Sequence, residues 1–518
     1  MVEQGRLPIQ NEPPSTLIRN PTPADMTTPQ NQTVTAKGCR VCDRRRIRCD
    51  LQRPFCQKCL KKGLTCPGYG PRLRWVNGIA ARGRLKGHKT PNYDGQTSPA
   101  SHVVSDSNAV SSTVGLGVDA HGPAASSASC DFYSFTSGLL EYYSKSIAGF
   151  MVWLDTDQND YRRRVLPLAN SEPGLRLAVS AISAYHGSAC FPHSPLDFPE
   201  MARDACLGFI QRSAEKMTQR LTSGVVLDSG ADVESAEWML ASILTLICFE
   251  MVQSRLEAAE CHRRAARTIV NLFSPAHIDT TGLFSFLQNQ LSIHDVLAST
   301  TSFNLQDLKK TITPPQHTDT ILFSKYLSLL HQVTLQSRQA SCRPSGSSSS
   351  ALPGNFDVSS VRSQFEQARG ATLMAIGRLR LQDDSARADL IRLVEAYHNA
   401  ALLYSYRCAG LESLDATTKL ERHILCSRLP DQLQQFDDQK LCIQNLPWVA
   451  LIAGTECHGN TDQQAKVVKV FLDIYETTKF KHYLDVLEFL SAFWADTETD
   501  WRILAQSWES AGRRILAV

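Results

Sequence analysis

The sequence predicts a mainly α protein: a small six-cysteine module and a large all-α helical domain, joined by disordered linkers. Three observations carry that prediction. Six of the 16 cysteines fall within 28 residues, from Cys39 to Cys66. From about residue 131 apolar residues recur at threes and fours, and strand-like alternation is scarce. Between them lies a Ser/Ala/Val/Gly-rich stretch of low charge, the composition of a flexible linker. With 42% hydrophobic and 20% charged residues over 518 positions, the chain can fill sizeable cores and is neither wholly disordered nor collagen-like.

Residues 1–36 are polar and Pro/Thr-rich and read as a disordered tail without a signal peptide. The longest uncharged apolar run, Trp238–Phe249, has 12 residues between Glu237 and Glu250, against about 20 for a membrane span. No membrane partner is expected, and the chain reads as intracellular, where disulfides are rare. A net charge of +3 hides a split. Residues 37–89 hold 16 Lys/Arg and two acids, a local charge of +14; elsewhere 38 bases face 49 acids, a charge of −11. A polyanionic partner is therefore expected for one short segment and none for the rest.

Cys39, Cys42, Cys49, Cys56, Cys59 and Cys66 follow C-x2-C-x6-C-x6-C-x2-C-x6-C, the second half repeating the first 17 residues later. A C-x2-C pair brings two thiolates to one metal from a tight turn, and zinc is satisfied by four thiolates in a tetrahedron. Six sulfurs complete two such tetrahedra only if two of them bridge, and the tandem symmetry selects Cys39 and Cys56. One ion would then take Cys39, Cys42, Cys49 and Cys56, the other Cys56, Cys59, Cys66 and Cys39. The remaining ten cysteines form no C-x2-C pair and read as small buried apolar residues. Cys457-His458 has no partner pair to complete a metal site.

The stretch from Gly38 to Cys66, with its basic run Arg44–Arg48 before the third cysteine and Pro54 two residues before the fourth, resembles the fungal binuclear zinc cluster of DNA-binding transcription factors. The bridging scheme agrees with that family's arrangement. The resemblance implies two zinc ions, double-stranded DNA as partner, and base reading of a CGG-type triplet by Arg45 and Arg46, three and four positions after the second cysteine. Arg44, Arg48, Arg53, Lys58, Lys61 and Lys62 are then phosphate contacts that position without specifying. A first helix is expected from near Arg40 to near Cys49, and a second after Cys56. So small a module has almost no apolar core, so its folding free energy comes largely from metal ligation, of order 10 kcal/mol. One departure is Asp43, where the family usually has a base, which puts one backbone contact in doubt.

The cluster is assigned to 37–68. Residues 69–130 read as a basic arm, with Arg72, Arg74, Arg82, Arg84, Lys86 and Lys89, followed by a flexible linker. No sustained apolar heptad appears there, so no coiled coil is expected, and binding is expected to be monomeric or, as a homodimer, to pair through the C-terminal region. From 131 to 518 the stripes Phe135/Leu139/Tyr142/Tyr143, Val233/Ala236/Leu240/Ile243/Ile247, Ala259/His262/Ala266/Ile269 and Val468/Phe471/Leu472/Tyr475 predict a dozen or more helices. A serine-rich segment near 337–360 reads as a disordered loop. Segments such as Trp153–Asp155, Leu175–His186, Trp238–Asn271 and Trp448–Gly454 resemble the helical regulatory region that one subgroup of these fungal factors carries. A pocket for a small-molecule effector is compatible with that region, but the sequence does not locate one.

The leading expectation is a nuclear, sequence-specific regulator of RNA polymerase II genes that catalyses nothing and serves one pathway, such as a metabolic gene cluster. The alternatives are a scaffold whose zinc module docks protein and a DNA-tethered enzyme with a helical catalytic domain. No phosphate-binding glycine loop, H-E-x-x-H or G-x-S-x-G motif supports catalysis. The acidic-aromatic stretch Phe493–Ile503 is a candidate for recruiting transcription machinery, with helix surface as the plainer reading.

Overall fold

The computed structural model describes residues 42, 45, 47–50, 57–62, 73–74, 92–93 and 125–518, the last range without 193, 228, 274–281, 316–321, 342–356, 380, 382–383 and 437–441. For residues 60, 73–74, 92–93 and 125–134 the backbone alone is described. The expected tail at 1–36 and most of the arm and linker at 69–130 lie outside these residues. The chain divides into two units, Met1–Val118 and Asp119–Val518. In the first, helix α1 spans Gln57–Leu60, and strands β1 (Leu73–Arg74) and β2 (Asn92–Tyr93) form a two-residue antiparallel ladder.

Every regular element among the described residues of the second unit is helical. Its elements are α2 (Ala125–Ser146), α3 (Leu166–Ser171), α4 (Pro173–His186), α5 (Phe198–Thr222), α6 (Gly230–Val252), α7 (Leu256–Leu272), α8 (Leu283–Ser299) and α9 (Leu305–Leu308), followed by α10 (Ser324–Ser341), α11 (Val358–Arg378), α12 (Asp384–Ala409) and α13 (Ala416–Gln432). The last four are α14 (Leu446–Thr455), α15 (Thr461–Thr478), α16 (His482–Ala495) and α17 (Trp501–Ser510). Helix α2 starts six residues ahead of the expected domain start, inside the stretch read as linker.

Local chemistry sets most boundaries. Ser229 and Asp232 form a reciprocal capping box at the start of α6. Side chains of Asn304, Asp357, Asp415, Asn460 and Asp500 accept from the first-turn amides of α9, α11, α13, α15 and α17. Pro173, Pro199 and Pro447 occupy the first turns of α4, α5 and α14, where a missing N–H leaves nothing unpaired.

The apolar run Trp238–Phe249 is the centre of a longer element. Helix α6 has 23 residues and is the one described helix long and apolar enough, by length and composition, to cross a membrane; 89% of its apolar window is buried inside the helical unit. It packs against α4, α7 and α8, and an all-round apolar helix of this kind belongs at the centre of a large core. A second focus lies around Trp448 on α14. Its indole stacks on Tyr397 at 5.5 Å, meets Tyr404 edge-on at 6.0 Å and donates to Thr300 Oγ1 at 3.1 Å. Gly454 lets α14 approach its neighbours: a Cβ there would lie 2.7 Å from Leu490 of α16 and 3.2 Å from Val467 of α15.

Three sequence expectations need correction. On α15 the buried stripe is Val467, Val470, Phe471 and Ile474, while Leu472 is exposed. Two apolar stripes share Phe471, and packing against α14 and α16 selects the one turned a residue earlier. The loop expected at 337–360 is narrower at both ends. Helix α10 runs to Ser341, with Arg338 buried and donating to the carbonyls of Ser302 and Thr300 at 3.0 Å, and α11 begins at Val358. The scattered cysteines are not uniformly buried: Cys206, Cys248, Cys408, Cys442 and Cys457 are, but Cys190 and Cys261 are exposed and Cys426 is half-buried.

Candidate metal centre and nucleic-acid interface

Within the first unit, two short segments come together. Cys42 is helical, Arg45 lies in a turn, and Ile47–Asp50 have no regular structure. The amide of Ile47 donates to the carbonyl of Cys42 at 3.0 Å, closing a wide turn that ends the first helix before residue 47. The expectation of a helix reaching Cys49 is thus corrected, while the second helix, α1, follows Cys56 as read from the sequence. Asp50 Oδ2 accepts from the amide of Lys58 at 2.9 Å, satisfying a first-turn donor of α1. Lys58 Nζ donates back to the carbonyl of Arg48 at 2.8 Å. The capping role of Asp50 was not read from the sequence; its only signal is an acid directly after the third cysteine.

The side chains separate cleanly by burial. Cys42 and Cys59 are fully buried, and Cys49 is half-buried. The sulfurs of Cys42 and Cys59 lie 3.9 Å apart. Two sulfurs bound at about 2.3 Å to one tetrahedral zinc lie about 3.8 Å apart, so the pair converges at the spacing of a common metal centre. The symmetric sharing scheme puts Cys42 on one ion and Cys59 on the other ion of a single two-ion cluster. Its bridging sulfurs Cys39 and Cys56, together with Cys66, lie outside the described residues. Among the described residues no set of three ligands is complete. Two buried thiols nevertheless fit a soft-metal site in donor type and spacing.

The charged side chains face outward. Arg45, Arg48, Lys58, Lys61 and Lys62 are all exposed. Backbone bonds from Lys61 to Gln57 and from Lys62 to Cys59 carry the last two on the turn that closes α1. Arg44, Arg46 and Arg53 lie outside the described residues. Among its described residues the module thus has buried sulfurs and an exposed basic face, which is suited to a polyanion.

The helical unit offers no rival centre among its described residues. Burial pushes the thiols of Cys206, Cys248 and Cys457 up to about 12, which leaves them protonated and poor metal ligands at neutral pH. Cys457 Sγ donates to the carbonyl of Ala453, and His458 Nε2 meets the carbonyl of Asp496, so this dipeptide is engaged by backbone. His186 joins Tyr142 at 2.9 Å and the carbonyl of Thr478 at 2.8 Å, a structural link between chain-distant segments. In the acidic-aromatic stretch, Phe493 and Trp501 are buried and Asp500 caps α17, so its aromatic residues serve the core.

Comparison with known proteins agrees with this division. The model of the Fungal Zn(2)-Cys(6) binuclear cluster domain matches residues 37–75, and that of the Fungal specific transcription factor domain matches residues 138–513. Arginine metabolism regulation protein II of Saccharomyces cerevisiae is 49% identical over 41 residues, covering 8% of this chain and 5% of that protein. Acriflavine sensitivity control protein acr-2 of Neurospora crassa is 50% identical over 40 residues, covering 8% of this chain and 7% of that protein. The chain therefore spans less than a tenth of the length of these curated relatives. No solved structure matches. The matching families are transcription factors and not enzymes. Matched over well more than half its length, the chain belongs to the fungal specific transcription factor family and carries that family's zinc-binding cluster module ahead of the helical domain.

Proposed function

We propose that the chain is a nuclear, sequence-specific regulator of RNA polymerase II genes, reading CGG-type triplets through a zinc-held basic module. Cys39, Cys42, Cys49, Cys56, Cys59 and Cys66 hold two zinc ions, which crosslink a segment too small to fold on apolar burial. Arg45 and Arg46 present forked donors to guanine O6 and N7 in the major groove. Arg44, Arg48, Arg53, Lys58, Lys61 and Lys62 neutralise phosphates and fix the docking angle. Of these, Lys58 already gives one donor to the carbonyl of Arg48, so its phosphate contact would use its remaining donors. Control of a single pathway is the level of action proposed, and the yeast relative is named for regulating arginine metabolism.

The observation that carries this reading is the 3.9 Å approach of two buried sulfurs beneath a surface of exposed arginine and lysine. Its test is a titration of the full chain with a CGG-containing duplex and with a scrambled one. Arg46→Ala is expected to weaken cognate binding by about 1–3 kcal/mol and to relax base preference. Lys61→Ala should weaken both duplexes alike and reduce the salt slope by about one. Equal losses on both duplexes from Arg46→Ala would remove the base-reading role.

A further inference from the structure

The helical unit contains a cleft of about 810 Å³, bounded by the turn after α2, by α8, by the start of α10 and by the last turns of α11. That volume lies within the range of small-molecule pockets. Its apolar wall includes Trp153 and Phe323, whose rings meet at 4.6 Å, together with Phe286. Phe323 is fully buried at φ +69°, a conformation that bulky L-residues rarely adopt, and its ring is also held against Tyr397 at 4.9 Å. Backbone strain of this kind collects at ligand sites.

The polar lining has a sign. Lys325 and Arg378 line the cleft and are exposed, and neither is paired with an acid among the described residues. The acid in the lining, Asp160, has Arg164 at 3.3 Å one helical turn away. Deeper in, the side-chain oxygen of Asn289 is buried without a hydrogen-bond partner among the described residues. An aromatic wall and two bases without an acidic partner among the described residues together favour an anion with an apolar body, whereas the Asn289 oxygen would accept from a donor group.

We propose that this cleft binds a small amphipathic organic anion, such as an aromatic or long-chain carboxylate, whose charged group meets Lys325 and Arg378 while its body lies against Trp153 and Phe286. The site goes beyond the proposed function and stands apart from it, since no residue of the zinc module lines it.

The test uses the full chain with two fluorescent probes, anionic 8-anilinonaphthalene-1-sulfonate and uncharged N-phenyl-1-naphthylamine. The anionic probe is expected to bind saturably at one site and more tightly than the neutral one. Lys325→Gln with Arg378→Gln should weaken the anion about tenfold and leave the neutral probe unchanged. Ala375→Trp, which fills the cleft, should abolish binding of both, with Ala375→Leu giving a smaller loss should the larger residue unfold the domain. Zinc-depleted chain should bind the anion as before, so failure of the DNA reading would leave this site standing. Equal affinity for the two probes, or anion binding indifferent to all of these substitutions, would overturn the proposal. Binding that a helical peptide alone achieves would overturn it in favour of a protein partner.

Discussion

Cys59→Ser is expected to abolish specific DNA binding while leaving the helical domain folded. The Cys59 thiol is fully buried 3.9 Å from Cys42, and these two are the buried side chains among the described residues of a module this small. Zinc ligation in so small a unit supplies folding free energy of order 10 kcal/mol. A hydroxyl is a poor ligand for zinc, so its loss exceeds anything the short helix α1 and its Asp50 cap can offset. Affinity should fall to the level of non-specific binding, a drop of roughly a thousandfold or more at physiological salt. The thermal transition of the helical domain should be unchanged, because Cys59 belongs to the first unit. Retention of triplet preference by this variant would separate DNA reading from the metal.

Asp295→Ala should act on the other unit, with the largest stability loss expected from any single charge there. Asp295 on α8 is fully buried and accepts from Arg263 and Arg267 of α7, the latter at 2.7–2.8 Å. It also accepts from the amide of Ile312 at 2.6 Å. Asp307 on α9 completes the group, bonded to Arg267 at 2.8 Å and Arg263 at 3.2 Å. Removing Asp295 leaves Asp307 to serve both buried guanidinium groups, with Glu260 still bonded to Arg263 at 2.6 Å but not to Arg267; losing one partner of a buried charge network typically costs about 3–5 kcal/mol. Denaturant unfolding of the full chain would read this as a lowered midpoint of the helical transition with DNA binding intact. Replacing Asp295 and Arg267 together by leucine and methionine should recover much of the loss, because apolar residues of similar volume can stand in for a buried ion pair.

The contrast between these two sites explains what the sequence made legible. The cysteine framework is local chemistry: six identical ligands at fixed intervals state their purpose without knowledge of the fold. Exposure of Arg45, Lys61 and Lys62 followed from the same frame, since a module this small cannot bury charge. The Asp295 group carries no such signature. Its members sit 28 to 44 positions apart, each an ordinary charged residue on an amphipathic helix, and only the crossing of α7 with α8 and α9 joins them. Periodicity located the helices but not always their phase, as at Phe471, where neighbouring stripes were equally apolar. Serine composition likewise overextended the loop near 337–360, because Arg338 reaches buried carbonyls that no sequence window contains. The cleft beside Phe323 was illegible for a related reason: its lining comes from four separate segments of chain.

Zinc content and DNA reading are expected to be one property of the cysteine module. The direct measurement is stepwise return of zinc to metal-stripped full chain, with bound zinc counted by native mass spectrometry and binding to a CGG duplex followed in the same samples. Binding should be absent without metal and should appear as the chain fills to two zinc ions, with the scrambled duplex left behind. Specific binding by metal-free chain, or a chain filled with two zinc ions that does not discriminate between the duplexes, would contradict that expectation.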